Sequence, residues 1–260
     1  MKTLIKKEFR LTRRILLIWM GMVLVLCVFS LWEFLSLKDN LGELMIMVEN
    51  FPEILKIMFG VTGDLRTAEG WYSCIYFWVA LFDFSFAIYL GISDVYREIA
   101  RSTHEQLFTL PLSRRQIVTA KAVAGIWSLL FLSLFSGLCN YLTAALPLGG
   151  ISLRDILCTT LGLFLTALVL FFLALWVAAF SRTYPSAIRR GTGMILFFFA
   201  LYMVIELYHL PFLWLFTPLE YFEVNRVLAE GLSIPGLLVS AFLIVLSLLS
   251  SPQGWEARDL

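Results

Sequence analysis

Charged residues are scarce in this sequence. Asp, Glu, Lys and Arg make up only 15% of its 260 residues, 60% are hydrophobic, and the mean hydropathy is +0.86. A soluble domain of this length would carry more charge on its surface. The formal net charge is +1, so no overall basic field indicates a nucleic-acid partner. The composition excludes an ordinary soluble protein.

Catalytic and metal-binding motifs are also missing. The sequence contains no G-x-x-x-x-G-K-[ST], H-E-x-x-H or G-x-S-x-G pattern, so it offers no P-loop, zinc protease site or nucleophile elbow. Its four cysteines form no C-x-x-C pair and each lies in an apolar block, which favours packing over metal binding or disulfides. We expect no enzyme activity and no cofactor bound by this chain.

Long apolar blocks are what the sequence does have. About 20 apolar residues in a helix match a hydrocarbon core roughly 30 Å thick, and in lipid only helices satisfy the backbone of such blocks. The sequence therefore predicts an all-α, polytopic membrane protein with six transmembrane helices. The predicted spans are about Ile15–Leu35, Trp71–Ser93, Ile117–Leu146, Ile156–Phe180, Gly193–Tyr208 and Pro235–Leu249.

The distribution of basic residues predicts the orientation of these spans. With both termini in the cytoplasm, fifteen of the twenty Lys and Arg residues lie inside and five lie in outer loops, as the positive-inside rule requires. The first apolar run is too long for a signal peptide, so we expect it to be retained. The predicted location is the plasma membrane, in a multi-pass arrangement and most simply in a bacterium.

Three regions outside the spans have distinctive patterns. Residues 1–14 form an amphipathic helix that is suited to the inner interface, although a plain basic topology anchor explains the same charges. The outer loop 36–70 is long enough for a small apolar helix. The outer segment 211–233 begins with an apolar stretch between Pro211 and Pro218, which indicates short re-entrant or interfacial helices. Residues 15–260 make up the predicted transmembrane domain.

The cytoplasmic segment 94–116 combines charge, a short apolar patch and a proline. Pro111 ends one helix, and Ser113 is placed to cap the next, which leads into the third span. The expected product is a short cytoplasmic helix joined rigidly to two transmembrane helices. Such an element is suited to transmit force from a soluble partner.

The chain resembles the type-2 ATP-binding-cassette permeases. The resemblance rests on Glu105-x-Leu107, Leu110-Pro111-Leu112-Ser113-Arg114 and Lys121, and on Thr217-Pro218-x-Glu220-Tyr221-Phe222 before the last span. The amphipathic N-terminus and the six-span order agree with it. It covers essentially the whole chain, although the individual motifs are degenerate.

This resemblance implies an exporter permease that works as a homodimer or heterodimer. Separate ATPase subunits would drive it and would hold ATP and Mg²⁺. Residues 2–14 would be the connecting helix, with Lys6, Phe9, Arg10 and Arg13. Positive-inside anchoring is the competing explanation for Arg114. The residues implied in ATPase coupling are Glu98, Arg101, Glu105, Leu107, Phe108, Pro111 and Arg114.

Three polar residues fall within or near predicted spans. Asp83 lies near the middle of the second span, where a carboxylate costs about 2.5–3.5 kcal/mol on insertion scales. Asn140, Tyr141 and Thr143 are candidate hydrogen-bonding partners for it. Asp83 is explained either as a polar lock between helices or as part of a translocation path. Glu206 lies near the outer end of its span, where it is expected to reach the interface.

Two other classes of function stay open on the sequence alone. A stand-alone secondary transporter or channel would use Asp83 and Glu206 as ion or proton sites, but internal repeats that would support it are not evident. A membrane scaffold without transport activity is the other alternative. The transported substrate does not follow from the sequence.

Overall fold

The computed structural model describes residues 2–100 and 114–256 and is built from helices, with no strand in this part of the chain. Two 3₁₀ helices, Pro211–Phe216 and Pro218–Glu220, and a π-helical turn, Tyr141–Ala145, complete the set. The α-helices are α1 (Lys2–Leu37), α2 (Leu41–Glu49), α3 (Glu53–Met58), α4 (Ala68–Ala100), α5 (Arg114–Asn140), α6 (Leu146–Leu148), α7 (Leu153–Ala179), α8 (Tyr184–Tyr208), α9 (Val224–Glu230) and α10 (Ile234–Glu256).

Five helices are long and apolar enough to cross a membrane, namely α1, α4, α5 with its π-turn, α7 and α8. The all-α class and the membrane character of the fold are therefore confirmed. The apolar stretch of α10, Ile234–Ser250, is shorter than these five. The sixth span accordingly stays a prediction.

The N-terminal segment and the first span form one helix, α1. The sequence pattern suggested a change of character near residue 14, but Lys2–Leu37 contains no proline and only one glycine, Gly21. Nothing in this stretch breaks the helix, so its hydrogen bonding continues from the basic segment into the apolar one. Whether residues 2–14 lie in the membrane interface stays a prediction.

Helix α8 begins nine residues before the predicted fifth span. Thr183 is its N-cap: its hydroxyl accepts a hydrogen bond from the Ser186 backbone N–H, at 3.4 Å. Pro185 stands in the first turn, where its missing N–H costs nothing. The apolar criterion missed this turn because Arg189 and Arg190 interrupt the hydrophobic pattern.

Helix α7 lies at the centre of the bundle, in contact with α4, α5, α8 and α10. Gly91 allows α4 to approach it closely, since a Cβ there would lie 2.5 Å from the Phe171 carbonyl oxygen. Small residues at such crossings bring membrane helices into van der Waals contact. Burial is uneven as a result: 67% of the residues in the apolar windows of α4 and α7 are buried, against 22% in α1 and 17% in α8.

Residues 36–70 and 211–233 lie at the same end of the bundle. We call it the outer end because the predicted topology places it outside the cell. Helices α2 and α3 occupy the first of these regions, and the two 3₁₀ helices and α9 occupy the second. His209 ends α8 in a left-handed conformation with φ of 51°, which turns the chain from the span into this outer segment. The interfacial position of these short helices is still a prediction.

Candidate functional site

Most of the residues implied in ATPase coupling lie outside the described residues. This applies to Arg101, Glu105, Leu107, Phe108 and Pro111. Glu98 and Arg114 fall in the last turn of α4 and at the start of α5, but their side-chain positions are also outside the description. The coupling assignment therefore stays a prediction.

The helix ends on either side of this segment are joined to each other. Lys121 of α5 is buried and its ammonium group donates a hydrogen bond to the Asp94 backbone carbonyl of α4. Tyr96 of α4 donates from its hydroxyl to the Ser181 carbonyl, at 2.6 Å. Arg190 of α8 donates to the Ser181 hydroxyl, at 3.2 Å. The inner ends of α4, α5 and α8 and the turn after α7 are thus one connected unit.

Two of the three basic residues predicted for the connecting helix lie on the exposed side of α1. Arg10 and Arg13 are exposed, whereas Glu8 and Thr12 on the same helix are buried. Phe9 packs against Phe131 of α5, with ring centroids 5.8 Å apart. Phe9 therefore lies on the side of α1 that contacts α5, and Arg10 and Arg13 lie on the exposed side. The side chain of Lys6 lies outside the described residues.

Asp83 lies fully buried in the bundle, in α4. The Ser136 hydroxyl of α5 donates a hydrogen bond to its Oδ1, at 2.9 Å, and its Oδ2 has no hydrogen-bond partner. In the described part of the chain, no basic side chain forms an ion pair with Asp83. The prediction that Asn140, Tyr141 or Thr143 bonds to Asp83 was wrong. The donor does come from the predicted third span, but it is Ser136, one helical turn before Asn140.

Asn140 occupies a neighbouring position on the same polar face of α5. Its Oδ1 accepts from the Cys27 thiol of α1, at 3.8 Å, and its Nδ2 has no hydrogen-bond partner. Thr143 instead donates to the carbonyl of Cys139 in its own helix, at 2.8 Å. Polar groups of α1, α4 and α5 therefore meet in the middle of the bundle, an arrangement that holds membrane helices together.

Glu206 does not belong to this buried group, because it lies at the outer end of α8. Its Oε1 is 3.8 Å from Nη2 of Arg226 in α9. The same guanidinium forms an ion pair with Glu220 of the second 3₁₀ helix. Glu220 is only 2% exposed, and its Oε1 has no hydrogen-bond partner. Arg226 thus connects the fifth span to the segment that follows it.

Burial changes the acidity of Glu220. Loss of hydration raises the pKa of this carboxyl to about 7, and the nearby carboxylates of Glu206 and Glu223 act in the same direction. The Arg226 guanidinium opposes the shift but does not cancel it. The outer segment therefore contains an acid that titrates near neutral pH.

Asn225 joins three parts of the outer end. Its Nδ2 donates to the Thr62 hydroxyl of the outer loop, at 2.8 Å, and to Glu223 Oε1, also at 2.8 Å. Its Oδ1 accepts from the Ser73 hydroxyl of α4, at 2.8 Å. Glu223 is also the N-cap of α9, since its carboxylate accepts from the backbone N–H groups of Asn225 and Arg226.

Sequence reasoning missed the roles of Ser136, Glu223, Asn225 and Arg226. The motif containing Glu220 was noticed, but its ion pair was not. One signal was available: an acidic side chain at the start of a short helix is stabilised by the free backbone N–H groups of its first turn. No local signal identified Ser136, because its partner is 53 positions away.

These features define a multi-pass α-helical membrane protein with polar contacts between its spans. Comparison with protein families matches residues 2–249 to the ABC-2 family transporter protein. The match covers nearly the whole chain, so the chain belongs to the ABC-2 transporter family and is a membrane permease of ABC transporters. The predicted resemblance is confirmed. Comparison with curated proteins found no match.

Proposed function

We propose that this chain is the membrane-spanning subunit of an ATP-driven exporter. Two permease subunits, identical or homologous, form the translocation path, and soluble ATPase subunits drive it from the cytoplasm. The observation that carries this proposal is the family match over residues 2–249. The chain contains no P-loop, so ATP and Mg²⁺ belong to the partner subunits. Both termini lie in the cytoplasm of a bacterial cell.

The connected inner ends of the helices support a lever at residues 94–116. Lys121 holds the start of α5 against the end of α4, and Tyr96 holds α4 against the turn after α7. A displacement of the segment between α4 and α5 would therefore move several spans together rather than bend one loop. This is the mechanical property that an ATPase-driven permease requires.

The uneven burial supports pairing with a second permease. Helices α1 and α8 are the least covered spans, and Gly21 and Gly193 on them have open space at their Cβ positions. Small residues on an uncovered membrane helix allow close approach of another helix. An open apolar groove runs along α1 beside Phe82 of α4. These faces suit a second permease and, outside the interface, lipid.

Co-purification with the ATPase tests the coupling assignment. The tagged permease is expressed with a candidate soluble P-loop ATPase, and the retained ATPase and its hydrolysis rate are measured. Glu105→Lys, or replacement of residues 98–112 by a Gly/Ser linker, is expected to abolish both. Glu43→Lys, an exposed acid on α2, is the charge-matched control and should leave both unchanged. A linker variant that retains the ATPase and its stimulated hydrolysis would refute the proposal.

A further inference from the structure

The exposed side of α1 carries an open apolar groove with a volume of about 680 Å³. It runs along residues 18–29, and Phe82 of α4 forms its second wall. Gly21 keeps the middle of the groove open, since no atom lies within 4 Å of a Cβ added there. Ile18 and Phe29, at its two ends, are each more than half exposed. The described helices of this chain therefore leave the groove uncovered.

Two basic residues continue the line of this groove toward the N-terminus of α1. The stripe is formed by residues at successive separations of seven, four, seven and four, namely Lys7, Arg14, Ile18, Val25 and Phe29. At 3.6 residues per turn, these separations keep all five on one side of a helix. Lys7 and Arg14 are exposed. The basic residues and the groove thus form one continuous surface.

In the part of the chain that the structure describes, no acidic side chain forms an ion pair with Lys7 or Arg14. By contrast, Lys121 and Arg190 are engaged by hydrogen bonds within the bundle. Positive-inside anchoring explains why basic residues lie at this end of α1. It does not require that two of them lie in line with an apolar groove. The two cations are therefore available to an anionic ligand that also occupies the groove.

The length of the groove matches one leaflet of a bilayer. Ile18 and Phe29 are eleven residues apart, which is about 16 Å along a helix. Half of a hydrocarbon core is about 15 Å thick. Arg14 precedes Ile18 by one helical turn, so an acyl chain in the groove would place its phosphate beside Arg14. Lys7, two turns further on, adds positive potential at the same membrane surface.

We propose that this groove binds one anionic phospholipid of the inner leaflet, with an acyl chain along residues 18–29 and its phosphate held by Arg14 and Lys7. The site does not depend on the proposed export function. Only its assignment to the inner leaflet rests on the topology proposed above.

The basic residues favour lipid over a second copy of the chain in this groove. Two identical permeases related by a two-fold axis normal to the membrane bring residues of equal depth together. Arg14 and Lys7 would then face their own like charges, which costs binding energy. A neighbouring exposed stripe of α1 stays available to a second permease, namely Leu17, Leu24 and Val28.

Binding is tested by native mass spectrometry of the full-length protein in detergent. The protein is titrated with phosphatidylglycerol, which is anionic, or with phosphatidylcholine, which is zwitterionic, both with the same acyl chains. Saturable binding of one phosphatidylglycerol per permease chain is expected, at lower concentration than phosphatidylcholine. Equal binding of the two lipids would overturn the proposal, since the basic residues would then contribute nothing.

A pair of charge variants separates this site from general charge at the membrane surface. Arg14→Gln is expected to weaken phosphatidylglycerol binding about fivefold, the value of one basic residue near an anionic lipid. Arg13→Gln removes the same charge from an adjacent exposed residue, about a third of a turn away from the stripe. It is the matched control and should bind phosphatidylglycerol as the unmodified protein does. Equal weakening by both variants would overturn the proposal.

A second pair of variants tests the groove itself. Gly21→Leu fills the groove without a clash, and it is expected to weaken phosphatidylglycerol binding about tenfold or more, because the acyl chain loses its apolar contacts. Gly193→Leu, at an equally open position on α8, is the control and should leave binding unchanged. The oligomeric state is measured on the same samples. Unchanged lipid binding in Gly21→Leu would overturn the proposal, and a simultaneous loss of permease pairing would identify the groove as an interface between permeases instead.

Discussion

Ser136 donates a hydrogen bond to the Asp83 carboxylate across the interface of α5 and α4, at 2.9 Å, and both residues are fully buried. The Ser85 hydroxyl, also on α4, donates instead to the Leu81 carbonyl of its own helix. The Asp83–Ser136 contact is therefore a specific link between two spans. It supports the interpretation of Asp83 as a polar lock.

Ser136→Ala is expected to lower the free energy of unfolding by about 0.6–2 kcal/mol, the range for hydrogen bonds between membrane helices. The loss arises because both oxygens of a buried carboxyl are then without a donor. In an Asp83→Leu background the same substitution should cost almost nothing, since no carboxyl remains to be satisfied. Unfolding of the purified chain in mixed micelles measures all four proteins of this cycle.

Ser85→Ala provides the control for this cycle. Ser85 is exposed on the same helix, so its removal should change the unfolding free energy by less than about 0.5 kcal/mol. If Ser136→Ala lowers the unfolding free energy equally with Asp83 and with Leu at position 83, the Asp83–Ser136 contact does not stabilise the bundle.

Gly91→Ala tests the close approach of α4 and α7. An added Cβ would lie 2.5 Å from the Phe171 carbonyl oxygen and 3.0 Å from the Leu175 backbone nitrogen, and backbone atoms of a central helix have little room to move. We expect a loss of about 1–3 kcal/mol in the unfolding free energy, as for other overpacked sites. Gly42→Ala, where no atom lies within 4 Å of the new Cβ, should show no loss. Equal effects at both glycines would contradict this packing.

Glu220 should make the stability of the protein depend on pH. Burial raises its pKa from 4.5 to about 7, so the folded protein binds this proton more tightly than the unfolded chain does. The resulting stabilisation is complete below about pH 4.5 and is lost as the pH rises to about 7. As the pH rises through this window, the Tm of the Glu220→Gln variant should fall less than the Tm of the unmodified protein. Glu43→Gln, an exposed acid, should follow the unmodified protein; identical pH profiles for all three would exclude the effect.

Features that depend on neighbouring residues in the sequence were predictable. The apolar blocks gave the all-α membrane class and located the cores of five spans, because hydrocarbon thickness sets the length of such blocks. Pro211 and Pro218 correctly marked a break in regular α-helix, since proline removes a backbone donor. The start of α8 was misplaced because Thr183 and Pro185 specify it through capping, which an apolar criterion does not detect.

Contacts between distant residues were not predictable. Asp83 was recognised as a buried charge in need of a partner, but the choice among the polar residues of the third span depends on the crossing and rotation of two helices. A shift of one helical turn separates Asn140 from Ser136. The pairing of Glu206 with Arg226 likewise depends on how the 3₁₀ helices fold back over α8. The sequence shows both charged residues but does not show how the chain between them folds.

Asn225 provides the last prediction, because it connects Thr62, Ser73 and Glu223 at the outer end. Asn225→Ala removes all three contacts, and Thr62 and Ser73 lose their link to α9. We expect faster amide hydrogen exchange in the outer loop around residues 59–67 and in α9, since local opening then breaks fewer interactions. The exchange rates in the buried middle of α7 should not change.

The matched control is Asn50→Ala. Asn50 is also an outer asparagine, but its side chain donates only to the Ile46 carbonyl of the preceding turn, at 2.8 Å, and it is exposed. Its removal should leave exchange in residues 59–67 and in α9 unchanged. If Asn225→Ala and Asn50→Ala give the same exchange pattern, the outer loop and α9 are not held together through Asn225. Contacts of the loop with α4, such as the hydrogen bond from the Trp78 indole to the Phe59 carbonyl at 3.2 Å, must then position the loop.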